Sequence, residues 1–586
     1  MSQREEYPSP TRISSALFQG KAVLLRLRRS IQDRTHNLPR HPKSTIGNFP
    51  HLAAASVTPL WTDTNPAEAW YQRGKTQNLR VAAGRLHLVA IPAGTVFSFW
   101  KQVGRASVGR GYVRGRMLQE GCMIPSVGGG LCQLSNAIYQ VAVEAGCEIL
   151  ERYPHSRVVP GSATAQGRDA TVAWNYIDLR FRPHVPMQLR VMLTGTDLCV
   201  SLHTTDTAAP SYHLSQEPNL DTTVQSIFGN HACESCGNTS CFRHDPTPVK
   251  LRSRSTTAFL LDSAWPEFQE YVATHHGSED ILAIPLDGER WNRPQYNWQK
   301  DGFARQHTAT LATLIRAVRS RGLAAQGAAR QRGLLESAAT LAKQLGKCLD
   351  PDVDGVCISQ SLLPFLWRTG ALGGRHIRVL MTQPPIADLQ AKLDLAFEAH
   401  PESKTLRDFR AEPWLLEAEE EALSCADVVV TPHAYIASLF PAKAALLDWS
   451  MPSRTVESQP YSRSRHCNVL FPSATLGRKG VYELREALEG LNVRLLLGGK
   501  TLEDTGFWNG FDTAPASQSD LFSADIVVQP SIVESQPRTL LAALSAGIPV
   551  IATRETGLHP NSAAHFVPAM DTTSLRTAIL SFVPHL

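Results

Sequence analysis

Residues 523–558, "SADIVVQPSIVESQPRTLLAALSAGIPVIATRETGL", decide how the C-terminal half of this chain is read. The stretch reads as strand, loop, helix, strand, with Glu534 and the loop after it at a strand's C-terminal end, where open α/β sheets bind their ligands. The amides of Ser535, Gln536, Arg538 and Thr539 precede a helix expected to begin near Leu540. Free donors and the positive end of the helix dipole would together receive a diphosphate, and the Glu534 carboxylate would hold sugar hydroxyls.

Outward from this unit the same pattern recurs. The runs "CNVLFPS", "VRLLLGG", "ADIVVQPS" and "IPVIATR" are separated by helical segments, and so are "TAFLLD", "ILAIPL", "DGVCIS", "IRVLMT" and "ADVVVTP" before them. Short apolar strands alternating with helices are the mark of parallel sheets with crossover connections. Two doubly wound, Rossmann-like α/β domains are therefore expected in tandem, over 251–440 and 441–586.

The first half reads differently. Residues 1–50 form a polar, basic arm around "ALFQGKAVLLRLRRSIQDR", where Leu17, Leu24, Leu27 and Ile31 fall at helical spacing among Lys21, Arg26, Arg28 and Arg29. Such a helix either docks on its own chain or lies on an anionic membrane surface. Residues 51–205 mix strands with a helix, an α+β pattern. "ATVAWNYIDLRF" places Ala170, Val172, Trp174 and Tyr176 on one side of a strand, and "MQLRVMLTGTDLCVSLH" is a hairpin turning at 194–197. Residues 206–250 form a linker rich in Pro, Ser and Thr.

At 586 residues the chain is too long for one core, and its length suggests about four domains. With 43% hydrophobic and 19% charged residues it is an ordinary globular composition. A net charge of +5 gives no ground for a nucleic-acid partner. No secretory leader and no run of about 18 apolar residues is visible, so a cytoplasmic protein is expected, at most peripheral to the inner membrane face. Eleven scattered cysteines read as reduced thiols.

Two cysteine features stand out. In "SVGGGLCQLSNAIY", Cys132 follows three glycines in the first turn of a helix whose stripe is Leu131, Leu134, Ile138, Val141 and Ala145, with Cys132, Ser135 and Tyr139 on another face. A helix N-terminus favours thiolate, and the glycines would admit a substrate to the backbone. His155 as base and Asp169 as orienting carboxylate would complete a Cys/His/Asp set. In "NHACESCGNTSCFRHD", Cys233, Cys236, Cys241 and His244 offer three thiolates and an imidazole, which reads first as a structural zinc site, then as unliganded thiols, then as an iron–sulfur cluster.

The segments "PAGTVFSFW", "GYVRGRMLQEG", "GGGLCQLSNAIY", "ERYPHS" and "DATVAWNYIDLRF" resemble the VanW family over about 70–203. Cysteine-dependent transpeptidase action on peptidoglycan is ascribed to some members, which implies Cys132 as nucleophile assisted by His155. "LFPSATLGRKGVYELREALEGLNVRLLLGG" and the opening stretch resemble the nucleotide-sugar domain of GT-B glycosyltransferases of the family-4-like group over about 465–570, and "EALSCADVVVTPHAYIASLFP" the end of their acceptor domain.

That second resemblance implies retaining transfer from a nucleotide sugar to a glycan or lipid-linked envelope acceptor. Lys479 takes the family's Lys-Gly position on the diphosphate, and Arg478 stands beside it. The family's second glutamate would fall at Ala542, a departure. The expected protein is thus a glycosyltransferase fused to a VanW-like domain. The alternative is a cysteine-dependent acyl transferase carrying a sugar-binding C-terminal half.

Overall fold

The computed structural model describes residues 12–35, 38–61, 69–119, 122–154, 169–205, 255–322, 327–451, 467–516, 521 and 524–582. The chain divides into two compact units: Met1–Thr256 with Leu349–Gly355 and Trp367–His376, and Thr257–Cys348 with Val356–Leu366 and Ile377–Leu586. Both parallel sheets lie mainly in the second unit. The short segments Leu349–Gly355 and Trp367–His376, at the starts of the fourth and fifth strands of the first parallel sheet, group with the N-terminal unit.

The first unit begins with helix α1 (Arg12–Thr35), then β1 (His51–Pro59), α2 (Ala69–Leu86), β2 (Val89–Ile91), β3 (Phe97–Ser98), β4 (Arg114–Gln119), β5 (Cys122–Val127), α3 (Leu131–Glu144), β6 (Glu148–Glu151), β7 (Arg180–Arg182), β8 (Met187–Leu193) and β9 (Asp197–Thr204). An antiparallel sheet runs β1-β9-β8-β2, beside a three-stranded sheet β3-β7-β6 and the hairpin β4-β5. The expected hairpin turning at 194–197 is β8-β9. Along β9 buried and half-buried residues alternate, the period of a strand with one face on the core.

Residues 170–176 do not form the expected strand. Ala173 and Ile177 bridge a tight turn, and extended pairing starts only at Arg180. Within that turn the Trp174 ring packs edge-on against Trp100, 5.4 Å between centroids.

The second unit carries a seven-stranded sheet built from β10 (Thr256–Leu260), β11 (Ile281–Ile284), β12 (Arg305–Thr308), β13 (Val353–Ser359), β14 (His376–Leu380), β15 (Val428–Thr431) and β16 (Ala444–Leu446), ordered β12-β11-β10-β13-β14-β15-β16. A six-stranded sheet follows from β17 (Cys467–Phe471), β18 (Val493–Leu497), β19 (Asp512–Pro515), β20 (Ile526–Gln529), β21 (Val550–Thr553) and β22 (His565–Val567), ordered β19-β18-β17-β20-β21-β22. Every neighbour pair in this second sheet is parallel.

Both orders step outward for three strands and then restart on the other side of the first, which is double winding. The reversal leaves a crevice beyond the carboxyl ends of β17 and β20, because the connections leaving these two neighbours diverge to opposite faces. All four residues of β20 and of β21 are buried, as helices on both faces require. Each Val or Ile so buried contributes about 1.5–3 kcal/mol, which makes this pair the rigid floor beneath the crevice.

Candidate functional site

Two loops meet at this reversal. The one after β17 ends in a short turn, Gly477–Lys479, and enters helix α6 (Val481–Leu488) through Gly480. Gly480 has φ +71°, and a Cβ there would run into the carbonyl of Pro530 in the loop after β20. Only glycine lets the two loops touch so closely. Amides of Ile532 and Val533 then donate to the Arg478 carbonyl at 3.0 and 3.2 Å.

Lys479 and Glu534 are brought face to face by this junction. Lys479 Nζ lies 2.6 Å from Glu534 Oε2 and 3.3 Å from the Val533 carbonyl. The Gln529 side-chain amide donates to the same carboxylate oxygen. Burial pulls the Lys479 ammonium below its ordinary pKa, while Glu534 acts in the opposite direction. Burial also lowers Arg478, again against the pull of Glu534. Two basic side chains are thus held in a desolvated setting beside the Glu534 carboxylate.

The helix after Glu534, α7 (Arg538–Ser545), starts two residues earlier than expected. The amides of Ser535 and Gln536 are not free donors: both turn back onto Glu534 Oε1, at 2.9 and 3.4 Å. Arg538 does not face the crevice as an unpaired cation either. Its guanidinium grips Glu267 through two bonds of 2.7 and 2.8 Å, and lies over the Trp449 ring, 5.2 Å from its centroid. Thr539 stands half-buried in the first turn of α7, and Ala542 occupies the position of the family's second glutamate.

Several residues escaped the sequence reading. His433, just beyond β15, is fully buried with Nε2 3.2 Å from the Glu534 carbonyl, and burial pushes its pKa down to about 4. Trp449 donates its indole N–H to the Gly557 carbonyl at 3.0 Å. Glu503 collects Ser403 Oγ at 3.0 Å, Gly477 N at 2.8 Å and Tyr482 OH at 3.1 Å, so it ties the loop bearing Lys479 to the segment around Ser403. At the reversal of the first sheet, Asp262 receives Ser361 Oγ at 3.1 Å and pairs with Arg316 at 3.2 Å. Each is a lone polar residue beyond a strand end, without a sequence spacing to announce it.

In the first unit Cys132 lies in the first turn of α3, as expected. Its sulfur is partly buried, 3.5 Å from Thr171 Oγ1 and 3.9 Å from the Val172 carbonyl. Ser135 and Tyr139 are buried with the aliphatic stripe, while Cys132, at the start of that face, keeps partial exposure. The glycine turn serves packing: Gly130 has φ +100°, and the space of its missing side chain is taken by Lys75 of α2. Asp169 pairs with Arg152, which donates to its carbonyl at 2.7 Å and approaches its carboxylate at 3.3 Å. His155 and the cluster Cys233, Cys236, Cys241 and His244 lie outside the described residues.

Residues 74–203 match the family model described as VanW like protein. Two relatives are similar over this region: the uncharacterized protein YoaR of Bacillus subtilis, 30% identical over 168 residues, and the vancomycin B-type resistance protein VanW of Enterococcus faecalis, 31% identical over 160 residues. These alignments take in 28% and 26% of this chain, and the chain spans only 54% and 58% of the length of those relatives.

Among solved structures, a sucrose-phosphate synthase from Thermosynechococcus elongatus matches with 15% identity and TM-score 0.37, covering 56% of this chain and 89% of that one. Anabaena HepE in complex with UDP and glucose matches with 13% identity and TM-score 0.32, covering 56% and 89%. The assignment of two tandem doubly wound α/β domains stands on the strand orders and parallel registers of the two sheets.

Proposed function

We propose that the second unit is a glycosyltransferase of GT-B type, taking a sugar from a nucleotide-sugar donor to a glycan or lipid-linked acceptor. The observation that carries this reading is the contact of Lys479 Nζ with Glu534 Oε2 at the reversal point of the second sheet. A lysine and a carboxylate from the two strands that flank a crevice are what a phosphorylated sugar needs: a cation for the diphosphate and an acceptor for hydroxyls.

During transfer the bond from the sugar's anomeric carbon to the diphosphate oxygen breaks while the acceptor's hydroxyl oxygen bonds to that carbon and its proton passes to the departing diphosphate. Negative charge grows on the departing diphosphate, and Lys479 with Arg478 stabilises it. Glu534, released from Lys479 by the incoming phosphate, turns to the sugar hydroxyls. Ser535, Gln536 and Thr539 line the start of α7 around it. His433, kept neutral by burial, fixes the Glu534 backbone through its carbonyl contact. The acceptor enters along the first parallel sheet.

The test is thermal unfolding of the full chain with and without UDP- and GDP-sugars. A ligand at one hundred times its Kd stabilises a protein by about 2.7 kcal/mol, so a true donor raises the midpoint measurably and Lys479→Ala abolishes the rise. No shift with any nucleotide sugar overturns the reading.

A second reading, acyl transfer by Cys132, is supported by the position of its thiol in the first turn of α3. It belongs to the first unit and does not compete for the same residues.

A further inference from the structure

Helix α1 docks on its own unit by its polar side. Arg26 Nε donates to the Trp174 carbonyl at 2.8 Å, Arg29 pairs with Glu151, and Asp33 pairs with Arg180 at 2.6 Å. The apolar stripe therefore faces outward: Val23, Leu24, Leu27 and Ile31 are 50%, 68%, 56% and 63% exposed. An amphipathic helix normally buries that side. Here the exposed cations Lys21, Arg28 and Arg34 border it, and the helix's one acidic residue, Asp33, is turned inward.

A second helix repeats the arrangement independently. In α5 (Thr310–Arg321), where α4 (Pro266–His275) is the helix before it, Thr313 is buried and donates to the Pro285 carbonyl at 2.8 Å. Arg316 reaches Asp262 from the same inner side. Leu311, Leu314, Ile315 and Val318 sit at i, i+3, i+4 and i+7 and are exposed, Leu311 by 74% and Val318 by 67%. Arg319 and Arg321 flank this stripe on opposite edges and are exposed, and the helix contains no acidic residue.

We infer that each stripe, taken by itself, is built to lie in the surface of an anionic lipid bilayer. Four aliphatic side chains edged with cations match an interface that offers acyl chains beneath phosphate headgroups. Self-association would press like charges together around each stripe, and a nucleic acid has no place for eight exposed aliphatic side chains. No helix among the described residues is long and apolar enough to cross a membrane, so the contact is one of lying on the bilayer. The inference stands on α1 and α5 and is independent of the donor-site reading.

The test is co-sedimentation of the full chain with vesicles of phosphatidylglycerol and phosphatidylcholine, against vesicles of phosphatidylcholine alone. The double variants are Leu27→Glu with Ile31→Glu, and Leu311→Glu with Val318→Glu. Because these positions are exposed, circular dichroism and the thermal midpoint should match the parent. Binding to the anionic vesicles that weakens with salt, and falls at least about tenfold in each double variant, supports the inference. A parent that does not sediment with anionic vesicles overturns it, as do variants that bind as the parent does. A parent dimer that the same substitutions dissolve, without vesicle binding, also overturns it in favour of a self-interface.

Discussion

Arg538 Nη1 stands 2.7 Å from Glu267 Oε1, and Nη2 stands 2.8 Å from Glu267 Oε2, so one guanidinium from the start of α7 closes on one carboxylate in the first turn of α4. The Glu267 side chain has no solvent exposure and that of Arg538 about a third. Burial acts to raise the Glu267 pKa, but the bonds from Arg538 and the Ser450 amide outweigh it and leave the carboxyl below its ordinary value. Arg538→Ala would strand a buried charge. We expect a loss of about 2 kcal/mol in urea unfolding, less than the ~3–5 typical of breaking a fully buried pair, because the guanidinium is partly hydrated. The contribution is whole above the ordinary carboxyl value of 4.5 and vanishes as pH falls through the lowered folded value. An Arg538→Ala protein as stable as the parent at neutral pH would refute the pair's role.

Lys479 and Glu534 should fail together. Removing a charge-stabilising group at a developing anion typically costs about 10²–10³ in rate, and Lys479→Ala is expected to lower kcat/KM by about 10²-fold. Gly480→Ala should lower it too without touching a functional group, since its φ of +71° and the Pro530 carbonyl leave no room for a Cβ. Initial rates with the donor identified by thermal shift decide the matter. Equal rates in parent and Lys479→Ala would remove Lys479 from the site.

Two buried groups of the second unit titrate in opposite senses. Burial lowers His433 from 6.5 to about 4, so between these values the unfolded chain binds more protons and stability rises with pH. Burial raises Glu419 from 4.5 to about 7, despite bonds from the Ile386 amide and Gln360, so between these values the folded chain binds more protons and stability falls with pH. Each shift corresponds to about 3 kcal/mol. The slopes oppose between 4.5 and 6.5. His433→Asn, which keeps a side-chain acceptor for the Ile436 amide, should expose the falling slope, and Glu419→Gln the rising one. Unfolding free energies at several pH values that change in the same direction for both variants would contradict this assignment.

The parallel strands were legible because nine of them are apolar runs bounded by turn residues. β12, β16, β19 and β22 were not, since edge strands lie partly in solvent and carry no such run: the four residues of β12 include none that is buried. The sequence singles out Glu534 beyond a strand end, and Lys479 by resemblance to the Lys-Gly position of GT-B enzymes, and the two side chains meet at 2.6 Å. The partner of Arg538 was not legible, because it depends on which loops tertiary packing brings together, and Glu267 lies 271 positions away; the 535 and 536 amides turn onto the adjacent Glu534 through the local conformation of the loop, which no residue pattern announces. The glycines before Cys132 were read as room for a substrate; at Gly130 the space is taken by Lys75, a residue of a helix more than fifty positions upstream.

Cys132 differs in environment from the buried cysteines Cys147, Cys357 and Cys467, though it shares its partial exposure with Cys199 and Cys425. Burial pushes Cys147 and Cys357 up to about 12 and Cys467 up to about 11, so these thiols stay protonated and inert near neutrality. Cys132 is only partly buried and sits in the first turn of a fourteen-residue helix, so reagent can reach its sulfur. Brief labelling with iodoacetamide at pH 7, read by peptide mass spectrometry, should therefore modify Cys132 well before Cys147, Cys357 or Cys467. Cys132→Ala should leave sugar transfer by the second unit unchanged and abolish any transfer of acyl groups from peptide substrates. If Cys132 is alkylated no faster than Cys147, the thiol is a packing group and the acyl-transfer reading falls with it.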